Sequence, residues 1–274
     1  MDSIIAIIFG IVQGLTEFIP VSSSGHLLIL HEMFPGFHFS DDLAFDVAMH
    51  IGTLLALVVF FWKDGVKYVA AWISSFKAKK GQYTDDQRLS WNIIVAIIPA
   101  ALAGFFFEDI IEEYFRSVSV VIVMLIAVAL FFIMVEKSSP NTFKLSMGGI
   151  TWKKSLFIGL MQVLSLVPGT SRSGITIISG MVAKLSRETA ARFSFLISIP
   201  LVAGAGLKKT IDLAIVGVSP QEIPLLLLGA ATAAIIGFLA IKFMLNFLQR
   251  KTLQSFAWYR IALGLALIVI FYVV

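Results

Sequence analysis

Apolar runs almost free of charge recur along the whole chain, with 44–62 and 261–274 among the cleanest, and they constrain the fold more than any motif does. Of 274 residues, 58% are hydrophobic and 14% charged, against about 45 to 50% apolar and about 25% charged in an average soluble domain. One globular core could not hide that much apolar surface, which excludes a soluble enzyme. The pattern is that of an all-α polytopic membrane protein. With no cysteine, disulfides, thiolate metal sites and cysteine nucleophiles drop out together. The net charge of +4 does not point to nucleic acid, because the basic residues are scattered between apolar runs rather than gathered into a patch.

The spacing predicts about ten helices, over 3–18, 22–34, 43–62, 91–107, 117–136, 153–167, 171–183, 192–210, 223–245 and 256–274. A spanning helix needs about 20 residues, so the segments near 43, 91, 117, 192, 223 and 256 qualify as six spans. The other four form two pairs, 3–18 with 22–34 and 153–167 with 171–183, each broken by a Pro/Ser/Gly-rich turn. These read as two re-entrant helical hairpins. Backbone leaves helical geometry at membrane depth only where protein or a water-filled cavity surrounds it, so both turns are candidate functional sites. The acidic start, Met1-Asp2-Ser3, does not suit a cleavable signal peptide.

Basic connections mark the cytoplasmic side of a membrane protein. One side carries 15 Lys and Arg, among them Lys63, Lys67, Lys77, Lys79, Lys80 and Arg88; the other carries 3, Arg116, Lys208 and Lys209, beside Glu108, Asp109, Glu112 and Glu113. The first side is then cytoplasmic, both termini lie outside, and the hairpins enter from opposite faces to meet near midplane. At a constant offset of 149, Gly10 matches Gly159, Gln13 matches Gln162, Ser22 matches Ser171, Ser24 matches Ser173 and Gly25 matches Gly174. Because the two halves enter from opposite faces, the expectation is one membrane domain over 1–274 made of two inverted-topology repeats, about 1–137 and 150–274, with a site where the broken helices meet. Chance similarity among apolar helices is the blander explanation.

The first turn reads QGLTEFIPVSSSGH, from Gln13 to His26. Gln13 and Glu17 share a helix face. A carboxylate inside an apolar segment costs roughly 2.5 to 3.5 kcal/mol on insertion scales, so Glu17 should face a cavity, a metal or a cation, unless it merely caps a helix end. Ser22, Ser23 and Ser24 after Pro20 are ordinary helix-capping residues or site hydroxyls, and His26 is a packed histidine or a proton carrier. The second turn reads LVPGTSRSGIT, from Leu166 to Thr176. There a helix start, the hydroxyls of Ser171, Ser173 and Thr176, and the Arg172 guanidinium make an anion site; an internal Glu17–Arg172 ion pair is the structural alternative. Asp46 and His50 read as a local hydrogen-bonded pair, Arg260 as a snorkelling or lipid-contacting side chain, and the basic 63–90 connection as a topology determinant that contacts anionic lipid.

Phosphoryl transfer needs this inventory of cations for non-bridging oxygens, a carboxylate that holds a divalent metal or takes a proton, and an acid or nucleophile in line. Ser23 or a water attacks the terminal phosphorus, Glu17 holds metal or acts as base, His26 transfers a proton or stabilises the phosphoryl group, and Arg172 neutralises charge.

At these residues the chain resembles the undecaprenyl-diphosphatase (BacA/UppP) family over nearly its whole length. QGLTEFIPVSSSGH and PGTSRSGIT look like that family's two signature motifs, and FSFLISIP continues the second hairpin as expected. The family has Glu or Gln at the first motif position; Gln13 here leaves Glu17 as the motif's carboxylate. The resemblance implies hydrolysis of a C55 lipid diphosphate to the monophosphate plus phosphate in the bacterial cytoplasmic membrane. That recycles the lipid carrier for cell-wall synthesis, gives bacitracin resistance, and uses a cavity open to the outer face and a divalent cation, Mg2+ or Ca2+, with Glu17 as its ligand. It implies catalytic roles for Glu17, Ser23, His26 and Arg172, and phosphate contacts from Gln13, Ser22, Ser171, Ser173 and Thr176. Expected partners are the polyprenyl diphosphate, bilayer lipids and a second copy in a homodimer, with no nucleic acid. A transporter or lipid flippase on the same repeat is the alternative. A scaffold role would leave Glu17 and Arg172 unexplained. The type 2 phosphatidic acid phosphatases are excluded, since Ile178 stands where their His would be.

Overall fold

Pro, Gly and charged clusters punctuate the apolar runs, and the computed structural model places helices between them. It describes residues 2–34, 42–79, 81–138, 144–216 and 219–273. Eleven α-helices follow in order among these: α1 (Asp2–Phe18), α2 (Ser23–Met33), α3 (Asp42–Phe60), α4 (Trp62–Ser75), α5 (Asp85–Phe115), α6 (Val118–Ser138), α7 (Trp152–Gln162), α8 (Arg172–Val182), α9 (Arg187–Val216), α10 (Ile223–Leu248) and α11 (Gln254–Tyr272). A 3-10 turn, Val163–Leu166, prolongs α7. Lys80 and the side chains of Glu108, Asp109, Glu112 and Lys209, part of the charge asymmetry read from the sequence, lie outside the described residues.

Five helices, α5, α6, α9, α10 and α11, are long and apolar enough to cross a bilayer. The expected sixth span, near 43, passes that test only with its continuation, Phe45–Phe60 with Trp62–Ser75, and the pair bends by 77°. The 63–90 connection, read from the sequence as a topology determinant, is largely helical. Its polar residues lower the mean hydropathy, yet Trp62, Val66, Val69 and Ile73 form an exposed apolar stripe along α4 at helical spacing. Set nearly at right angles to α3 and carrying Lys63 and Lys67, α4 has the make-up of a helix lying in the membrane interface. Helix α5 also starts earlier than expected, because Thr84 and Gln87 form a reciprocal capping box that satisfies free N–H groups at its start.

The two short pairs, α1 with α2 and α7 with α8, are helical hairpins as expected. An 11-residue helix such as α2, α7 or α8 is about 16 Å long, half the hydrocarbon thickness. The hairpins pack crosswise: α1 runs along α10, α7 along α5, while α6 meets α11 and α3 meets α9. Small residues permit this. Gly229, Ala233, Gly237 and Ala240 recur on the buried face of α10, and a Cβ at Gly10 would lie 2.6 Å from the Gly229 carbonyl oxygen. Its counterpart Gly159 on α7 meets the Ala96 carbonyl oxygen of α5 at 2.5 Å. Between helices in lipid, close van der Waals packing of this kind takes the place of a hydrophobic core. The large apolar side chains left outside, such as Leu102, Phe106 and Leu239, face the bilayer.

Candidate active site

Pro20 cannot donate within a helix and ends the first arm; Pro168 and Gly169 do the same in the second. The chain then re-enters helix through a serine with left-handed backbone, Ser22 at φ 79° and Ser171 at φ 72°. Each caps the new helix in the same way. Ser22 Oγ accepts from Gly25 N at 3.3 Å, and Ser171 Oγ accepts from Gly174 N at 3.1 Å. Each hydroxyl also lies 3.3 Å from the hydroxyl two residues on, Ser24 or Ser173. A serine at positive φ is strained by order 1 kcal/mol or more, offset here by the caps. The first residue after each cap is Ser23 in one turn and Arg172 in the other, so the two turns bring a hydroxyl and a guanidinium to equivalent places.

Both meet Glu17. Its Oε2 accepts from Ser23 Oγ at 2.7 Å and from Gln13 Nε2 at 3.1 Å, and its Oε1 accepts from Arg172 Nη2. The internal ion pair, the structural alternative read from the sequence, is therefore present, beside a cavity of about 670 Å³. The Glu17 side chain is 4% exposed and that of Arg172 19%, so the guanidinium is the member that reaches the opening. Ser23, Ser24, His50 and Ser171 line the cavity too, with Asp46 and Lys208 adding two more charged groups, while Ile97, Phe105, Leu166 and Leu201 are among its many apolar walls. Polar groups set among apolar walls suit an amphiphile with an anionic head.

Glu17, Ser23, Ser171 and Arg172 thus line one cavity, with Gln13 fully buried behind Glu17. Ser22, Ser173 and Thr176, expected to bind phosphate, do not line it. All are buried: Ser22 caps α2, Ser173 sits beside Ser171, and Thr176 donates to the Arg172 carbonyl and lies 2.5 Å from Ser194 Oγ. They hold the helix starts that present Ser23 and Arg172. His26 also points elsewhere. Its Nδ1 donates to the Ser22 carbonyl at 2.7 Å, its Nε2 meets the Tyr259 hydroxyl at 2.7 Å, and the ring stacks on Tyr259.

Asp46 and His50 are the local hydrogen-bonded pair expected, through His50 Nδ1 and the Asp46 carbonyl oxygen at 2.8 Å, and both also line the Glu17 cavity, where the Asp46 carboxylate is engaged by His31 at 3.1 Å and Arg116 at 3.7 Å. Arg260 is 0% exposed and donates to the carbonyls of Pro20, Met124, Leu125 and Gly169, so it reaches no lipid. It ties the two turns to α6. Ser24 and Ser165 also line the cavity. Nothing in their spacing singles out Ser24 from its neighbours, and only the repeat, which sets Ser165 opposite Thr16, hints at the other.

A resident Mg2+ or Ca2+ would need several oxygen ligands. Among the described residues no three His, Asp or Glu side chains converge. Glu17 is surrounded by hydrogen-bond donors, one of them cationic. That donor set fits an anion and not a protein-held divalent cation.

Comparison with known proteins adds to the geometry. The profile of the family described as "Bacitracin resistance protein BacA" matches residues 6–266. An undecaprenyl-diphosphatase of Geotalea daltonii is 43% identical over 274 residues, covering 98% of this chain and 99% of its own length. The undecaprenyl-diphosphatase of Thermomicrobium roseum is 41% identical over 274 residues, covering 97% and 96%, and that of Geobacter sulfurreducens 42% over 265 residues, covering 96% of each.

Proposed function

Given that the chain belongs to the bacitracin resistance protein BacA family, we propose that Glu17, Ser23 and Arg172 are the reacting cluster with which it hydrolyses undecaprenyl diphosphate. The protein is a multi-pass membrane phosphatase that releases undecaprenyl phosphate and inorganic phosphate, a reaction that recycles the lipid carrier. The observation that supports the cluster is the direct contact of a hydroxyl, a carboxylate and a guanidinium on the wall of a mostly apolar cavity.

The terminal phosphate takes the place opposite Arg172, which leaves Glu17 for two phosphate oxygens in the fork geometry that a guanidinium favours. Free N–H groups at the starts of α2 and α8 and the Ser171 hydroxyl face the remaining oxygens. Ser23 Oγ forms a bond to the terminal phosphorus while the bond from phosphorus to the bridging oxygen breaks. Its proton passes to Glu17 Oε2, already its hydrogen-bond acceptor at 2.7 Å, and the lipid monophosphate leaves. A required Mg2+ or Ca2+ arrives with the diphosphate, as part of the substrate.

The same reading has two inverted repeats in one membrane domain, both termini and the cavity opening on the outer face, and α4 on the cytoplasmic face. The crosswise packing of the hairpins and the charge asymmetry support it. The chain lacks cysteine, so Ser3→Cys and Lys77→Cys, labelled from one side with a membrane-impermeant maleimide, test the orientation: only the first should react from outside.

Phosphate release by the detergent-solubilised protein from a polyprenyl diphosphate tests the function, and separates hydrolysis from transport or flipping. Ser23→Ala, Glu17→Ala and Arg172→Ala should each lower the rate by about 10²-fold or more. Wild-type rates in all three would place the chemistry elsewhere.

A further inference from the structure

His50 stands in the same cavity as Glu17, Ser23 and Arg172, and the scheme above gives it no task. Its Nδ1 lies 2.8 Å from the Asp46 carbonyl oxygen. A carbonyl can only accept, so Nδ1 carries a proton, and in the neutral imidazole the backbone contact thereby leaves the lone pair on Nε2. Nε2 lies 3.8 Å from Glu17 Oε2, too far for a hydrogen bond, and it has no other partner among the described residues. This is an imidazole nitrogen aimed at the atom to which Ser23 donates.

The other candidates near that nitrogen are otherwise engaged or unsuited, Asp46 among them, whose carboxylate is held by His31 and Arg116. Gln13 has no proton-accepting group. Glu17 already accepts from Gln13, Ser23 and Arg172, and after the first step it holds the serine proton. His26 is turned away, with its Nε2 on Tyr259. His50 also lines a second, smaller cavity of about 190 Å³ beside the first, together with Ser24, His31, Asp46 and Arg116. It stands between the reacting cluster and that cavity, whose walls join the polar groups of His31, Asp46 and Arg116 to the apolar Leu27, Leu28 and Ile111.

We propose that His50 is the general base that activates water to release phosphate from Ser23, an inference that rests on Ser23 being the nucleophile. A water in the smaller cavity gives its proton to His50 Nε2 while its oxygen forms a bond to the phosphorus of phosphoserine. The bond from phosphorus to Ser23 Oγ breaks, and Oγ recovers the proton held by Glu17. Inorganic phosphate leaves, and His50 returns its proton to water.

The test uses the full-length protein in detergent and undecaprenyl diphosphate labelled in the terminal phosphorus, with lipid monophosphate, free phosphate and protein-bound phosphate read separately after rapid quenching. In His50→Ala, one equivalent of lipid monophosphate should form at nearly the wild-type rate. Phosphate should stay on Ser23, identified by peptide mass. Steady-state phosphate release should fall about 10²-fold, and added imidazole should restore part of it. His50→Gln fills similar space without a base and should also trap phosphoserine, without the cavity of the alanine variant. The inference is overturned if both variants release phosphate at the wild-type rate, or if both products slow together and no phosphoserine accumulates. Failure of the underlying reading looks different: Ser23→Ala would then turn over like the wild type.

Discussion

A charge at membrane depth has to find its partners inside the protein, and the buried charges of this chain find theirs in two ways. Glu17 and Arg172 take each other, at a place where a phosphate can displace one contact for another. Arg260 takes four backbone carbonyls and stacks over Phe132 with Cζ 5.6 Å from the ring centre, an arrangement with no room for exchange. The two arginines should therefore fail differently. Arg172→Lys loses the planar fork but leaves the fold intact, so kcat should drop by about 10²-fold with little change in thermal unfolding. Arg260→Lys cannot reach carbonyls in both turns; leaving some of them buried and unpaired should cost about 3 kcal/mol, read as a lower unfolding temperature in detergent. Glu17, Ser23 and Arg172 were legible in the sequence because each departs from its local setting, a charge in an apolar segment or a hydroxyl after a break. His50 and Arg260 were not. What His50 does depends on Glu17, 33 residues away, and the partners of Arg260 are main-chain atoms, which leave no mark in the sequence.

At the scale of the element, breaks were easier to read than beginnings. Pro20 and the Pro168–Gly169 pair announce the hairpin turns by chemistry that any sequence displays. Helix α4 escaped notice because Lys63, Asp64 and Lys67 interrupt its apolar stripe, and an average over the segment hides a face that only a helical projection reveals. Two glycines test the packing. Gly159→Ala puts a methyl group 2.5 Å from the Ala96 carbonyl oxygen, a rigid backbone atom, and should destabilise the protein by about 1 to 3 kcal/mol. Gly65→Ala on α4 meets nothing within 4 Å and should stabilise by about 0.5 to 1 kcal/mol through helix propensity alone. Paired thermal melts in one detergent read both signs, and a destabilised Gly65→Ala would mean that α4 is not helical in the membrane.

For the whole molecule, the size of the cavity sets what is recognised. At roughly 30 Å³ for a water-sized group, about 670 Å³ holds on the order of twenty heavy atoms, enough for a diphosphate and a few isoprene units. The rest of a C55 tail must lie in the bilayer. Diphosphates with about three isoprene units and with the full tail should then differ several-fold at most in kcat when compared in the same micelles, a ratio that steady-state assays measure directly. The site is also built for anions. Calorimetric titration with Ca2+ or Mg2+ alone should show no saturable binding, while turnover with lipid diphosphate present falls when the cation is chelated; a tight site in the absence of diphosphate would contradict the donor set around Glu17.

The serine and the guanidinium stand 149 positions apart, at the same step of two like turns, and their supports follow suit: Glu17 lines the cavity from one arm and Leu166 from the other. Neither portion of the polypeptide, before or after the 139–150 connection, carries all three groups of the proposed cluster, and each hairpin rests on a helix of the other portion. A ribosome must therefore pass well beyond the middle of the message before any lipid diphosphate is at risk. On that proposal, partly translated chains in the membrane should be chemically silent, and turnover should report complete assembly. Two separately expressed portions would announce their meeting in the membrane by releasing phosphate.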